Sequence, residues 1–227
     1  YNWQWYQIPR YFYRVIDEEL IWGPLATGLV ITIEISLYSM LLTLALGLLT
    51  ALLRMSNSLS GQVLARVYLE TIRNTPMLVQ IYVFYFVIAP VVGIDRFWTG
   101  VLCLGLFEGS FASEIIRAGI NSVPRGQWEA ASSVGLSRFA SYRYVVLPQA
   151  IPLMLPPMTG VLINLIKHSS IVSVIAVFEL TTEGRNIIAD TYMAFEVWLT
   201  VAGIYLVLTV SLSIFVGYLE RRLRQPT

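Results

Sequence analysis

The sequence predicts an all-α integral membrane protein with five transmembrane helices, its N-terminus outside and its C-terminus in the cytoplasm. Three observations carry this. Of 227 residues, 56% are hydrophobic and only 13% are charged, about half the charged share of an ordinary soluble domain. Mean hydropathy is +0.68. The apolar residues gather into five runs, each near the roughly 20 residues a helix needs to cross a bilayer core.

Several classes fall away on the same numbers. Intrinsic disorder needs low hydrophobicity and high charge. A net charge of +1 lacks the basic excess of a nucleic-acid binder. Cys103 is the single cysteine, so no intrachain disulfide forms, and with one histidine a zinc cluster or other metal site is not expected. The chain opens at Tyr1 rather than methionine, so a native start further upstream is expected. No signal peptide is visible within it.

The elements follow in order. Residues 1–24 carry Trp3, Trp5, Tyr6, Tyr11, Phe12 and Tyr13. Such rings favour the headgroup layer, so the segment reads as interfacial or as a tail packed on protein. The first span is Leu25 to Leu53, with Glu34 as its only charge. Met77 to Ile94 is uncharged. Trp98 to Ile120 is apolar to Phe107 and then meets Glu108, Glu114 and Arg117. Ala150 to Phe178 is interrupted by Lys167 and His168, and Pro152, Pro156 and Pro157 are expected to disrupt its early helix. Val197 to Leu219 is uncharged. With no repeat and no low-complexity linker, residues 25–222 form one membrane domain, followed by a short cytoplasmic tail at 223–227.

Five spans put the termini on opposite sides, and basic residues decide which is which. Arg54, Arg66, Arg73, Arg117, Arg125, Arg138, Arg143, Arg221, Arg222 and Arg224 lie on one side. Arg10, Arg14, Arg96 and Arg185 lie on the other. The richer side is cytoplasmic, so the chain ends inside.

The loop between the third and fourth spans is the most informative segment. Glu129-Ala130-Ala131 reads as a good helix start, with the acid near the positive end of the dipole. Gly135 suits the end of that helix, and Pro124 and Pro148 bracket the segment. Small residues let another backbone approach. A short helix with a few exposed arginines fits either a groove on a soluble partner or its own bundle.

Glu129-Ala130-Ala131, three residues, Gly135, nine residues, Val145, one residue and Leu147-Pro148 together resemble the EAA loop of ABC-importer permeases. That family ends the pattern in Ile-x-Leu-Pro, with Val145 here in place of Ile. The wider chain resembles its polar amino-acid uptake branch over roughly Leu25 to Arg222. The segments are Glu70 to Gln80, Ser113 to Ile120, Pro124 to Gln127, Asn164 to Ser173, and Glu179-Leu180. Asn74 stands where many members have Gly, and His168 where many have Asn. The resemblance implies a permease domain over 25–222 whose loop is a cytoplasmic coupling helix for an ATPase, through Glu129, Ala130, Ala131, Gly135, Leu136 and Arg138. It implies two copies of that ATPase, a second permease chain (identical or related), an extracytoplasmic amino-acid-binding protein and a place in the bacterial inner membrane. No cofactor is expected in this chain; ATP and Mg belong to the ATPase.

Polar groups inside the spans mark candidate sites, because a charge in the bilayer core is costly and faces protein or a water path. Glu114 and Arg117, at i and i+3, can pair, as a structural element or a gate. Glu108 either bonds a neighbouring helix or meets a substrate amino group. In the fourth span, Asn164, Lys167, Ser169 and Ser170 fit a substrate carboxylate at a broken helix, unless Lys167 pairs with Glu108 or Glu34. His168 reads as a helix–helix hydrogen-bond donor. Thr75 and Gln80, beside the kink expected at Pro76, are further substrate candidates.

Enzymatic readings are weak. Lys167 is the single lysine and follows Leu165-Ile166, so there is no P-loop. A Ser170–Lys167 nucleophile and base is the one alternative left, a membrane-embedded hydrolase. A permease for another small solute is the other.

Overall fold

The computed structural model describes residues 2–16 and 18–223. Its elements are a 3-10 turn, Trp5–Tyr11, a hairpin of β1 (Tyr13–Ile16) and β2 (Glu19–Trp22), and ten helices. These are α1 (Pro24–Met55), α2 (Leu59–Arg73), α3 (Met77–Val83), α4 (Ala89–Val92), α5 (Arg96–Asn121), α6 (Arg125–Ser133), α7 (Arg138–Ser141), α8 (Leu147–His168), α9 (Leu180–Thr191) and α10 (Ala194–Leu223). Residues 224–227 of the expected tail lie outside the described residues.

Among the described residues, four helical stretches are long and apolar enough to cross a membrane: α1, α5, Arg138–Ile175 and Ala194–Tyr218. A fifth exists if α2 and the α3–α4 run form one span bent by 106°. The second expected span, Met77 to Ile94, is therefore not one straight helix. It is α3, a π turn at Phe84–Ile88 and α4. The cause is local. Pro76 caps α3 without an N–H to donate, and Pro90 follows the π turn, where a widened turn eases the clash of its ring with a carbonyl one turn back. Pro148 follows a second π turn, Tyr142–Val146, in the same way.

Pro152, Pro156 and Pro157 do not disrupt the fourth span, contrary to the sequence expectation. α8 stays α-helical through all three. Pro148, Pro152 and Pro156 recur every four residues, so their lost bonds fall on one edge of the helix. Membrane helices tolerate such edges because neighbours re-satisfy the freed groups. The helix changes character later, at Ser169, where a 3-10 stretch runs to Ile175 and ends at Ala176 with φ 54°.

α1 and α5 pack along a seam of small residues. Gly28, Thr32, Ser36, Ser39, Thr43 and Gly47 recur every three or four residues on α1 and are all buried, with Gly28 and Thr32 meeting Leu180 at the start of α9. Gly100, Gly105, Gly109 and Ala112 answer from α5. A Cβ on Gly47 would stand 2.9 Å from that of Ala112, and one on Gly105 2.6 Å from Leu42. Small residues let membrane helices associate through close backbone approach. Ser39 and Thr43 donate from this seam to the Val101 and Gly105 carbonyls, each at 3.4 Å.

Three apolar clusters follow the bundle. Ile35, Ile81, Leu104, Leu165 and Val172 meet in the middle. Ile8, Tyr11, Leu25, Leu180 and Val197 close the end where α1 begins. Ala51, Ile116, Val123, Val146 and Met154 close the end where α1 finishes. The N-terminal segment takes part of each expected role. Ile8 and Tyr11 are buried, and the Gln4 N–H donates to Glu196 at 2.7 Å, while Trp5, Tyr6 and Tyr13 stay exposed.

Candidate functional site

The loop after α5 holds the first group of candidates. α6 begins at Arg125, one turn earlier than the sequence suggested, because Pro124 (φ −55°, ψ 140°) sets the helix entry and its carbonyl accepts from Gln127 N. Glu129 therefore sits inside the helix. Its carboxylate meets Arg125 at 3.3 Å, with both side chains largely exposed, a pairing that contributes little. Trp128 and buried Ala131 turn inward. Trp128 packs edge-on to Tyr142 at 5.0 Å and joins the cluster around Val146. Ala130 faces out.

Gly135 ends α6 as the sequence implied, with φ +78°. The Leu136 N–H donates to the Ala131 carbonyl at 3.1 Å and the Gly135 N–H to Ser132 at 3.0 Å. Those two bonds make a Schellman cap, which needs a left-handed residue at this position. Arg138 opens α7 from the exposed side, with Phe139 beside it. The result is a short helix fixed to the bundle along one edge and open along the other.

The second group lies where α8 becomes a 3-10 turn. His168 Nδ1 and Glu108 Oε1 are 2.8 Å apart, Glu108 is buried, and the imidazole stands edge-on to Phe107 at 5.9 Å. The histidine is the interhelical hydrogen-bonding group expected, and its partner is Glu108. Among the described residues Lys167 makes no ion pair with Glu108 or Glu34; it is exposed, as is Glu34. Asn164 is half-buried one turn earlier. Ser169 is buried and donates to the Ile166 carbonyl, and Ser170 donates to the Lys167 carbonyl, both at 2.7 Å. Each hydroxyl thus bonds back onto the turn that precedes it, where the helix type changes.

Gln80 and Thr75 do not join this group. The Gln80 amide donates to Ile72 O at 2.7 Å, Thr75 O at 3.0 Å and Thr75 Oγ1 at 2.8 Å, closing the bend between α2 and α3.

Glu114 and Arg117 pair as expected, at 2.9–3.0 Å. Sequence reasoning missed two further partners. Arg54 from the end of α1 bonds the same carboxylate, and Arg73 from the end of α2 reaches it at 3.5 Å. Arg73 also donates to the Ser110 carbonyl and lies 5.3 Å over the Phe111 ring. One acid from α5 thus ties together the ends of α1 and α2, beside a polar cavity of ≈ 370 Å³ lined also by Arg66 and Glu70. The available signal was two arginines closing consecutive helices, where cations suit the dipole.

A fourth node was also missed. Fully buried Glu179 caps α9, accepting from Thr181 N at 2.7 Å and Thr182 N at 2.8 Å, and Tyr205 of α10 donates to it at 2.9 Å. Burial pushes this carboxyl above its ordinary range, against the pull of those bonds. The Leu180 N–H donates back to Thr32 of α1 at 3.1 Å. No group of three or more His, Cys, Asp or Glu among the described residues is placed to hold a metal.

The family model for the binding-protein-dependent transport system inner membrane component matches residues 43–225. This chain belongs to that family. The binding-protein-dependent permease is a transport subunit and not itself an enzyme. It is 41% identical over 182 residues to the probable glutamine ABC transporter permease protein GlnM of Bacillus subtilis (strain 168), covering 79% of this chain and 84% of that one. It is 37% identical over 214 residues to the glutamine transport system permease protein GlnP of Escherichia coli (strain K12), covering 92% and 98%. Among solved structures, an amino acid ABC transporter with histidines matches with TM-score 0.80 and 37% identity over 88% of this chain and 94% of that one. The MetNI methionine ABC transporter in an inward-facing form matches with TM-score 0.74 at 18% identity, over 88% and 96%, and shares the fold.

Proposed function

We propose that this permease subunit imports a polar amino acid across the bacterial cytoplasmic membrane, with its N-terminus outside and five spans, counting the bent α2–α4 run as one. It works by alternating access with a second permease chain, identical or related, fed by an extracytoplasmic amino-acid-binding protein. Hydrolysis of ATP with Mg takes place in two copies of a separate ATPase. α6 is the coupling helix. The observation that carries this is its mounting: Trp128 and Ala131 fix it to the bundle, while Ala130, Glu129 and Arg138 stay open to a partner. A push on so short and firmly seated a helix moves α5 and α8 with it.

The substrate class rests on the glutamine permeases and the amino acid transporter named above. In this reading Lys167, exposed and without an ion pair among the described residues, attracts a carboxylate, and Asn164 and Ser170 supply hydrogen bonds beside it. Ser169 holds the turn that presents them. Glu108, held in place by its hydrogen bond with His168, meets the amino group, and Gln80 with Thr75 shapes the bend between α2 and α3. Glu114 with Arg54, Arg73 and Arg117 forms a gate on the cytoplasmic side.

The test is purification from the native membrane with copy counting, then uptake in vesicles supplied with receptor and ATP. Recovery with two P-loop ATPase copies and a second permease, and uptake of glutamine or another polar amino acid, is the expected result. Recovery without an ATPase at any detergent strength overturns the coupling role. Uptake of none of the polar amino acids overturns the substrate class.

A further inference from the structure

We propose that the N-terminal hairpin is a membrane-interface anchor whose apolar face seats an acyl chain of a bilayer phospholipid. The hairpin register places Tyr13 opposite Trp22 and Val15 opposite Leu20. Side chains on a strand alternate in direction, so these four share one face. Each is more than half exposed. The other face is mixed, with Arg14 opposite Ile21 and Glu19 opposite Ile16, and Glu18 occupies the turn. A two-stranded ribbon this small does not hold its shape in water unaided, and an exposed aromatic face on it calls for a cover.

The cover is identified by what the face joins. Trp22 also walls a groove of ≈ 570 Å³ that it forms with Phe12 and with Leu29, Val30 and Ile31 of α1. Val30 begins a stripe of exposed apolar residues, Ile33, Leu37, Leu41, Leu44 and Leu48, running down one side of that membrane helix. The groove is therefore continuous with a surface that acyl chains wet. The hairpin stands at the end of α1 opposite Arg54, where Trp and Tyr rings settle at headgroup depth. Arg10 and Arg14, both exposed, flank it with the charge that suits a lipid phosphate. Apolar chain below and cationic groups beside it describe a phospholipid.

The experiment places single spin labels on the complete transporter in phospholipid nanodiscs, at Val15→Cys and Leu20→Cys on one face and Arg14→Cys and Glu19→Cys on the other. Buried Cys103 leaves the parent protein as the blank. Collision with oxygen and with a water-soluble nickel chelate is then read at each site. Apolar-face labels should meet oxygen and exclude nickel, and the ratio should invert on the other face. With acyl-brominated lipids, Trp emission should be quenched, and W22F should lose a quenchable share. Equal nickel access on both faces overturns the proposal, since the hairpin then stands in water. Apolar-face labels immobilised and shielded from both reagents also overturn it, since a protein then covers that face. Nanodiscs expose both membrane sides, so neither outcome depends on the orientation or substrate proposed above.

Discussion

The end of α6 allows a test that separates backbone strain from side-chain size. Gly135 holds φ +78°, and a Cβ added there would meet nothing within 4 Å. Any cost of substitution is therefore conformational. The left-handed region costs most L-residues about 1–2 kcal/mol, and Asn visits it more readily than others. Gly135→Ala should thus cost about 1 kcal/mol, Gly135→Val about 2 because a β-branched residue is more restricted, and Gly135→Asn only a few tenths. If the Schellman-capped shape is what the ATPase subunit receives, that strain returns as lost affinity, roughly 5-fold to 30-fold across Ala and Val. The assay titrates the partner ATPase onto each variant in nanodiscs and follows receptor-dependent uptake in the same preparations. Asn is larger than Ala, so the two explanations order the variants differently. Equal binding across the series, or loss that follows side-chain volume with Asn worse than Ala, would refute the reasoning.

Three further outcomes are expected. Glu114→Gln leaves Arg54, Arg73 and Arg117 facing one another without an anion, and should cost about 2 kcal/mol, between the values for exposed and buried pairs. Arg117→Gln should cost under about 1 kcal/mol because two cations stay on the acid, and the melting temperatures of the two variants give the order. Gly105→Ala forces a Cβ against Leu42 at 2.6 Å and should destabilise by about 1–3 kcal/mol, with Leu42→Ala relieving part of it in the double variant. Glu179 has a folded pKa raised by burial, so its contribution is greatest below the unfolded value of about 4.3 and fades as pH rises through the folded one. The melting temperature of the native protein should accordingly gain on that of Glu179→Gln as pH falls from neutral; a difference independent of pH counts against it.

The long apolar runs were legible because membrane crossing is set by length and composition; α1 and α10 follow from those alone, while α5 also requires Glu108, Glu114 and Arg117 to lie inside a span. Gly135 was legible for another reason: only a left-handed residue completes that cap, and glycine adopts it without strain. What failed was inference from prolines taken singly. Pro152, Pro156 and Pro157 looked like breakers, yet α8 stays helical through all three, and the four-residue spacing of Pro148, Pro152 and Pro156 keeps most of the lost bonds on one edge. Pro76, with Asn74 and Thr75 before it, looked like a kink and became a turn of 106°. The difference lies in neighbours that a sequence does not display. The same holds for the polar nodes. Glu114 with Arg117 was visible at i and i+3, but Arg54 and Arg73 come from positions 60 and 41 residues away, and only the packing of α1 and α2 on α5 brings them in.

These nodes sit at places where the packing rule changes. Along the α1–α5 seam, contact is between backbones and small side chains, with hydroxyls turned onto carbonyls. Leu42 and Leu46 fill the space over Gly105 and Gly109, and close-packed interfaces shift between discrete arrangements and do not deform continuously. At its two ends the contacts are ionic or charge-assisted: Glu114 with three arginines at one, Glu179 with Tyr205 and the α9 amides at the other. Bonds of that kind can exchange partners without leaving a void. The α8 run differs again, with a π turn at one end and a 3-10 turn at the other, and each departs from the hydrogen-bond register that makes a helix stiff. In the proposed cycle α1 and α5 therefore move as one block, and the push received at α6 is absorbed beside it, at Tyr142–Val146 and at Ser169–Ile175. The second of those turns carries Ser169 and Ser170 and adjoins Lys167 and His168. A change in the helix register there alters the candidate substrate groups and the coupling path in a single step.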